Sequence, residues 1–395
     1  MSFITNRYYS PLLTLKKHQS LTFAEILKTL RMKKVFFLLA AALVLHACNN
    51  SYQQMAIRKK PKNVILLIGD GMGLTQMSTA YYYQDETPSF SRFLHIGLHQ
   101  NQPTDAQITD SAAGATAFST GYKSYNSAIG VDRDTIPRET ILELAARRGQ
   151  ATGVIATSSV THATPASFFA HAEDRDLEDK IASQLHASPV DFFAGGGIEF
   201  FAYREDGLNY LDSLASAGFL VDTTELKRPA AWNSNQKYGY LLAADGMPKM
   251  SEGRGDFLPR ATEMAIEYLS QDKDGFFLMV EGSQIDWGGH ANDADWIIDE
   301  VKDFDQAIKA ALDFAEKDGN TLVIVTADHE TGGMSLSAAE VRMQRTYKHI
   351  NPTFSTGGHS ATLIPVYAYG PGAAKFMGIY QNNEIFDRML EALRW

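Results

Sequence analysis

A chain of 395 residues, 45% hydrophobic and 21% charged, has an ordinary globular composition and room for one large α/β domain or two smaller ones. Residues 1–48 carry a net +6, so from −10 overall the remainder carries −16. So acidic a body argues against a nucleic-acid-binding surface, and an anionic substrate must be drawn by local positive charge, for which bound metal ions are the obvious source.

The first segment reads as targeting rather than fold. Met32-Lys33-Lys34 precedes an apolar run, Val35 to Leu45, which is shorter than the ~20 residues a membrane span needs. Leu45-His46-Ala47-Cys48 then resembles the bacterial lipoprotein box, with His46 unusual within it. On this reading residues 32–48 are a lipoprotein signal and Cys48, the only Cys, carries the lipid that ties the protein to a membrane. The alternative is plain secretion with a chance Cys. Met32 begins a complete signal by itself, so residues 1–31 are expected to be an upstream extension of the gene model. Residues 49–62, polar and basic with Pro61, read as a tether to a catalytic domain over 63–395.

Val64 to Ile68 is a continuous apolar run of strand length, the pattern of a central strand buried on both faces. Asp70 follows at its carboxyl end between Gly69 and Gly71, where open α/β sheets gather their sites. A helical stretch from Leu74 and a strand near Ile96 lead to Thr109–Gly121. There Asp110 suits a helix N-cap and Gly121 a C-terminal stop. Ser111 would lie in the first turn of that short helix of small residues, where orphan N–H groups and the helix dipole favour an anion. A plain small-residue core helix is the competing reading. Helical spacing over Glu139–Arg148 and a strand over Ala151–Ala156 come next. Thr164 as cap and Pro165 as first helical residue then predict a helix carrying His171 and reaching Arg175. By themselves His162 reads as a structural histidine and Arg175 as a solvated charge.

Val190–Ala194 is another strand. Residues 200–258, irregular and rich in Pro, Gly and aromatics, read as an excursion from the sheet that forms loops or a lid. A helix over Arg260–Leu269 precedes the strand Phe276–Val280, which ends in Glu281. Asp286 and His290 are four apart, so a helix would put them on one face where they could share a metal. A long amphipathic helix, a strand over Thr321–Thr326 ending in Asp328-His329, and a glycine-rich loop presenting His359 follow. A strand from Ile364 and a helix from Glu384 close the chain.

Three His and several carboxylates form a borderline-hard ligand set suited to zinc, and the single Cys excludes a Cys-rich structural site. Two metal clusters with a serine between them suggest two-metal displacement at phosphorus. A metal can lower a serine hydroxyl's pKa without a His base. A Ser-His-Asp protease would need neither the ligand set nor an arginine clamp.

The segments Asn63–Gly73, Thr109–Gly121, Thr161–Arg175, Phe276–His290, Thr326–Thr331 and Gly357–His359, in that order, resemble the alkaline phosphatases across nearly the whole mature chain. The resemblance implies a three-layer αβα sandwich around a mostly parallel sheet, with a small lid or crown insertion at about 200–258. It implies a phosphoric monoester hydrolase acting on small phosphate monoesters, and a homodimer; the Met32–Cys48 signal adds export to the periplasm or cell envelope. Ser111 would be the nucleophile, forming a phosphoserine that water hydrolyses. Asp286, His290 and His359 would hold one zinc. Asp70, Asp328 and His329 would hold a second, and Asp70, Thr164 and Glu281 a magnesium. Arg175 would grip two phosphate oxygens with its planar fork.

Two positions depart from the best-known bacterial pattern: His162 stands where that pattern has Asp, and Trp287 where it has Lys. They put the third metal and its water-mediated phosphate contacts in question, and weaker or differently tuned magnesium binding is expected. A phosphodiesterase of the same superfamily, or a non-catalytic lipid-anchored binding protein on the same fold, are the other readings. A sulfatase lacks its Cys/Ser-x-Pro-x-Arg setting around Ser111.

Overall fold

The computed structural model of the chain describes residues 60–341 and 344–395. The expected signal, its Cys48 and most of the tether lie outside the described residues. In chain order the strands are β1 (Asn63–Gly69), β2 (His95–Gln100), β3 (Ala151–Ser159), β4 (Phe192–Gly196), β5 (Phe219–Asp222), β6 (Lys237–Leu241) and β7 (Phe276–Gly282). They continue as β8 (Thr321–Thr326), β9 (Glu330–Thr331), β10 (Ser335–Val341), β11 (Gln344–Thr353), β12 (His359–Ser360), β13 (Ile364–Tyr369) and β14 (Gly378–Gln381).

Ten of them form one sheet in the order β14-β2-β13-β8-β1-β7-β3-β4-β6-β5. Every adjacent pair is parallel except those made by β13, which runs against both of its neighbours. β1 lies at the centre, and all of its residues are buried. The reason is in its sequence: Val64, Leu66 and Ile68 face one core, Ile65 and Leu67 the other. The first core holds the helices Ser111–Thr120, Ile141–Arg147 and Glu178–Leu185, the second Phe257–Leu269 and Ala294–Asp318. Each fully buried Val, Leu or Ile contributes up to about 1.5–3 kcal/mol.

Register positions the site. Ile68 pairs with both Glu281 of β7 and Thr326 of β8, so the three strands end at one level. β3 adds its own end beyond β7. Asp70, Glu281, Asp328 and His162 therefore leave neighbouring strand ends on the same edge. Among the described residues no helix is long and apolar enough to cross a membrane.

Two local expectations are corrected. Residues 200–258 do not leave the sheet as an excursion: β5 and β6 extend it by parallel pairing beyond β4. Their short apolar runs, Phe219-Leu220-Val221 and Tyr238-Gly239-Tyr240, are hidden among polar loops. The segment that does leave the sheet is the β10–β11 hairpin, a separate two-stranded antiparallel unit between β9 and β12. The helix expected to start after Thr164 and reach Arg175 spans only Ala163–Ala166, with His162 at the N-cap position and Pro165 inside the first turn. It stops because Ala172 and Ile129 exchange two backbone hydrogen bonds of 2.9 Å, which draws the chain into an extended path.

Candidate active site

Ser111 opens the helix Ser111–Thr120. Asp110 caps it by accepting the Ala113 N–H at 2.9 Å, and Gly121 ends it in the left-handed region, at φ 77°. All ten helical residues are buried. Gly114 supplies the close approach to the β8 loop: a Cβ there would lie 2.9 Å from Asp328 Cβ. Ser111 Oγ sits 3.2 Å from His329 Nε2 and 3.5 Å from Asp70 Oδ1.

Three groups of potential ligands converge around that hydroxyl. Asp286, His290 and His359 form the first, Asp70, Asp328 and His329 the second, and Asp70, His162 and Glu281 the third; within each, the ligand atoms lie within 4.8 Å of one another. The helix Gln284–Ala291 places Asp286 and His290 on one face, with His290 Nε2 3.3 Å from Asp286 Oδ2. His359 arrives on β12, and its ring stacks on that of His329 with centroids 3.6 Å apart.

The hydrogen bonds fix which ring nitrogens are free. His290 Nδ1 lies 2.7 Å from the Gly357 carbonyl and His359 Nδ1 2.8 Å from the Thr109 carbonyl. A carbonyl only accepts, so in the neutral rings both Nδ1 atoms carry the hydrogen. Both Nε2 atoms then present lone pairs to each other across 3.1 Å. Two acceptors so close need a positive charge between them, either a proton on His290, whose pKa is raised to about 9, or a metal ion that both rings share. Thr331 donates its hydroxyl hydrogen to Asp286 Oδ1, so it accepts from His329 Nδ1, 3.2 Å away. The His329 Nε2 lone pair then faces Asp70 Oδ1 at 3.4 Å and Asp328 Oδ2 at 3.3 Å. Second-shell bonds of this kind set the tautomer of metal-binding histidines. Thr331 thereby joins the first group to the second.

The carboxylates make the same point. Asp70 Oδ2, Asp328 Oδ2, Glu281 Oε1 and Thr164 Oγ1 are buried without a hydrogen-bond partner, as is His162 Nδ1. An unpaired buried charge costs several kcal/mol. Burial, then repulsion by Asp328 and Asp286, pushes Asp70 well above the usual carboxylate range. Glu281 and Asp328 are pushed upward too, burial being the main cause in both. Asp286 goes the other way: against burial, its His290 hydrogen bond and the neighbouring His329 and His359 hold it low. The Asp286 hydrogen bond raises His290 to about 9, while burial and then Arg175 lower His162 to about 3. The fit to cations is chemical: mixed imidazole and carboxylate donors, no thiolate, and orphaned oxygens facing inward.

Arg175 comes to the same place by the extended route. Its Nη1 lies 3.3 Å from Asp110 Oδ2 and its Nη2 3.1 Å from His162 Nε2. Asp110 thus caps the Ser111 helix and aims the guanidinium beside it. Trp287 meets His162 edge-to-face, with centroids 6.2 Å apart, and rests on Gly246, where a Cβ would lie 2.5 Å from the indole. All twelve residues singled out from the sequence thus lie in or against one site. His162 joins Asp70 and Glu281 directly, with Thr164 beside them as an unpartnered hydroxyl. Sequence reasoning assigned no role to Gly114, Gly246 or Thr331; the first and last lie inside quoted motifs, but the contact that matters is with another strand's loop.

The sequence model of the family described as alkaline phosphatase matches residues 61–351. The chain is 36% identical to alkaline phosphatase 3 of Bacillus subtilis, over 85% of this chain and 89% of that protein. It is 32% identical to the alkaline phosphatase of Escherichia coli, over 85% and 86%. Among solved structures, the alkaline phosphatase of the Antarctic bacterium TAB5 is 55% identical, covering 85% of this chain and 99% of that one, with a TM-score of 0.83. Two further structures of that enzyme carry Asp or Glu in place of a histidine and have Mg bound in a site called M3. With this fold, this ligand set and these relatives, the chain belongs to the alkaline phosphatase family and is an enzyme with its phosphatase activity.

Proposed function

We propose that the chain hydrolyses phosphate monoesters through a phosphoserine formed on Ser111. The observation that carries the reading is the position of Ser111 Oγ, at a helix N-terminus against the second ligand group, 3.2 Å from His329 Nε2 and 3.5 Å from Asp70 Oδ1. Arg175, held at its two ends by Asp110 and His162, would grip two oxygens of the transferring group. In the first half-reaction the Ser111 Oγ–P bond forms as the P–O bond to the alcohol breaks, and the alcohol leaves with a proton. In the second, water attacks phosphorus, the Oγ–P bond breaks, and inorganic phosphate and the serine hydroxyl are restored. Two zinc ions, held by Asp286, His290, His359 and by Asp70, Asp328, His329, would supply positive charge that lowers the serine's pKa and stabilises the leaving oxygen.

The third group, Asp70, His162 and Glu281 with Thr164, is the proposed magnesium site. An imidazole there favours a borderline ion over magnesium, which prefers oxygen donors. Variants of the similar enzyme with Asp or Glu in place of a histidine have Mg bound in the site called M3, which accords with magnesium's preference for oxygen donors. Export to the periplasm or cell envelope, a lipid on Cys48 and a homodimer belong to the same proposal.

The test compares a phosphate monoester with the matching diester, with and without a chelator, for wild type and Ser111→Ala. Preferential monoester hydrolysis, abolished by the chelator and by S111A, is expected. Equal or faster diester hydrolysis, or full activity in S111A, refutes the proposal.

A further inference from the structure

A buried carboxylate that coordinates nothing ties the ligand-bearing loops together. Glu330 follows His329 directly and is 4% exposed. Its Oε1 accepts from Gln76 Nε2 at 2.6 Å and from the Met334 N–H at 3.1 Å, and its Oε2 accepts from the Ser360 hydroxyl. Gln76 is fully buried on the helix Leu74–Tyr83, just beyond Asp70, and also donates to the Thr331 carbonyl at 2.7 Å. Ser360 is the neighbour of His359. One side chain therefore contacts all three segments that supply Asp70, Asp328 with His329, and His359.

His359 depends most on this contact. Its strand β12 has two residues, paired only as His359 with Thr331 and Ser360 with Glu330. The loop before it is Thr356-Gly357-Gly358, and a Cβ on either glycine would meet nothing closer than 3.6 Å. The ring itself is aimed by its bond to the Thr109 carbonyl and its stack on His329, but the two glycines leave the backbone that carries it loosely packed. By contrast the Glu330 end is tightly fixed: a Cβ on Gly73 would lie 2.3 Å from Glu330 Cγ.

We propose that Glu330 is a positioning residue, clamping Ser360 so that His359 Nε2 stays within reach of the ion held with Asp286 and His290. The inference rests on the functional reading above. Without the clamp, the backbone of β12 is held only through the His359 ring's own contacts and the Thr331 pairing, and the ordering that remains when the ion binds is lost from the affinity. The other ligands keep their own anchors: Asp328 accepts from the Gly71 and His329 N–H groups at 3.2 and 2.9 Å, and His290 sits on a helix. The loss should therefore be confined to one ion.

Zinc retention by the zinc-loaded protein against a graded chelator tests this, for wild type, Glu330→Ala, Glu330→Gln and Ser360→Ala. In E330A, one zinc equivalent should be released at a free-zinc level about 10–100-fold higher than in wild type, with the other unmoved. S360A cuts only the limb to His359 and should shift the same equivalent in the same direction. In E330Q the amide oxygen can still accept from Gln76 and Met334 while its NH2 donates to Ser360 Oγ, so most of the loss should be recovered. Should E330A not fold, S360A and E330Q carry the comparison. Unchanged retention in S360A and E330A, or loss of both equivalents together, overturns the proposal. So does E330Q behaving as E330A, which would make the charge and not the clamp the cause. A wild type that holds two zinc ions but does not hydrolyse a monoester refutes the functional reading and leaves this comparison valid. A wild type that holds no zinc overturns both.

Discussion

Replacing Arg254 by Met should be among the most damaging changes outside the ligand set. The Arg254 side chain is completely buried, and those of Glu300 and Asp303 are 2% exposed. The guanidinium bonds Asp303 Oδ2 at 2.8 Å and both Glu300 oxygens, and it donates to the Pro248 carbonyl at 3.2 Å. Without it, two carboxylates on one turn of the helix Ala294–Asp318 keep only the Met250 N–H, which Glu300 accepts at 3.1 Å. Removing one partner of a buried ion pair costs about 3–5 kcal/mol, most of it the desolvation of the charge left behind. Burial, only partly countered by Arg254, already raises the Asp303 carboxyl to about 6, so in the variant Asp303 should take up a proton as the pH falls. The loss should accordingly be smaller at pH 6 than at pH 8. Urea unfolding of the metal-loaded protein at both pH values measures this, with an unchanged m-value as the control that the same surface is exposed. The companion Arg254→Met/Glu300→Leu/Asp303→Leu variant should recover most of the loss, because an all-apolar triad leaves no orphaned charge. A cost under about 1 kcal/mol for R254M, or a triple variant no more stable than the single, would refute the desolvation argument. The effect should reach the site as well. The 246–254 segment carries Gly246 beneath Trp287, and Met247, whose carbonyl accepts from Gln284 Nε2 at 2.6 Å.

Arg175→Ala should lower kcat/KM for a monoester by roughly 10–150-fold, the value of one charge-assisted hydrogen bond, and weaken inhibition by inorganic phosphate in parallel. Arg175→Lys should recover little, since it keeps the charge without the paired donors; near-wild-type kinetics in R175K would show that the fork is not used. Gly114→Ala should reverse the usual helix gain of about 1 kcal/mol and release metal more readily, because its Cβ would press on Asp328 Cβ. A G114A protein more stable than wild type with unaltered metal content would disprove the close-approach argument. His99, fully buried, is lowered to about 3 chiefly by burial, so its folded form stays neutral while the unfolded chain gains a proton below about 6.5. It therefore contributes stability that is complete above about pH 6.5 and is lost at about 1.4 kcal/mol per pH unit on acidification. His99→Leu should flatten the acid limb of the stability–pH curve by that slope, and an unchanged slope would count against a neutral buried His99.

What the sequence made legible was what local chemistry decides. Five consecutive apolar residues in β1 admit little but a doubly buried strand. Asp110 and Gly121 mark the two ends of a helix because each satisfies backbone groups that the helix itself leaves open. Asp286 and His290 share a helical face by spacing alone. The rest depended on partners far away in the chain. The path that returns Arg175 to Ser111 is set by the Ile129–Ala172 bridge, and no local signal announces it. The short β5 and β6 become strands only because β4 offers an edge to pair with. His162 reads as a histidine near a helix start until β7 brings Glu281 beside it. Family resemblance reached many of these residues, but only coordinates reveal a clamp such as Glu330, whose partners lie on segments about 254 and 30 residues away.

The central place of β1 in the sheet also sets the order in which this molecule can mature. β1 is made first, yet both strands that pair with it, β7 and β8, begin only at Phe276 and Thr321. At synthesis rates of about 5–20 residues per second, Val64–Ile68 waits on the order of 10–40 s with both edges open, an uncharged β-prone segment without proline. No stretch of the growing chain can close the sheet around it early, and the group of Asp286, His290 and His359 is not complete until His359 has been made. This architecture therefore commits the protein to late assembly, with its central strand paired only after most of the chain has been made.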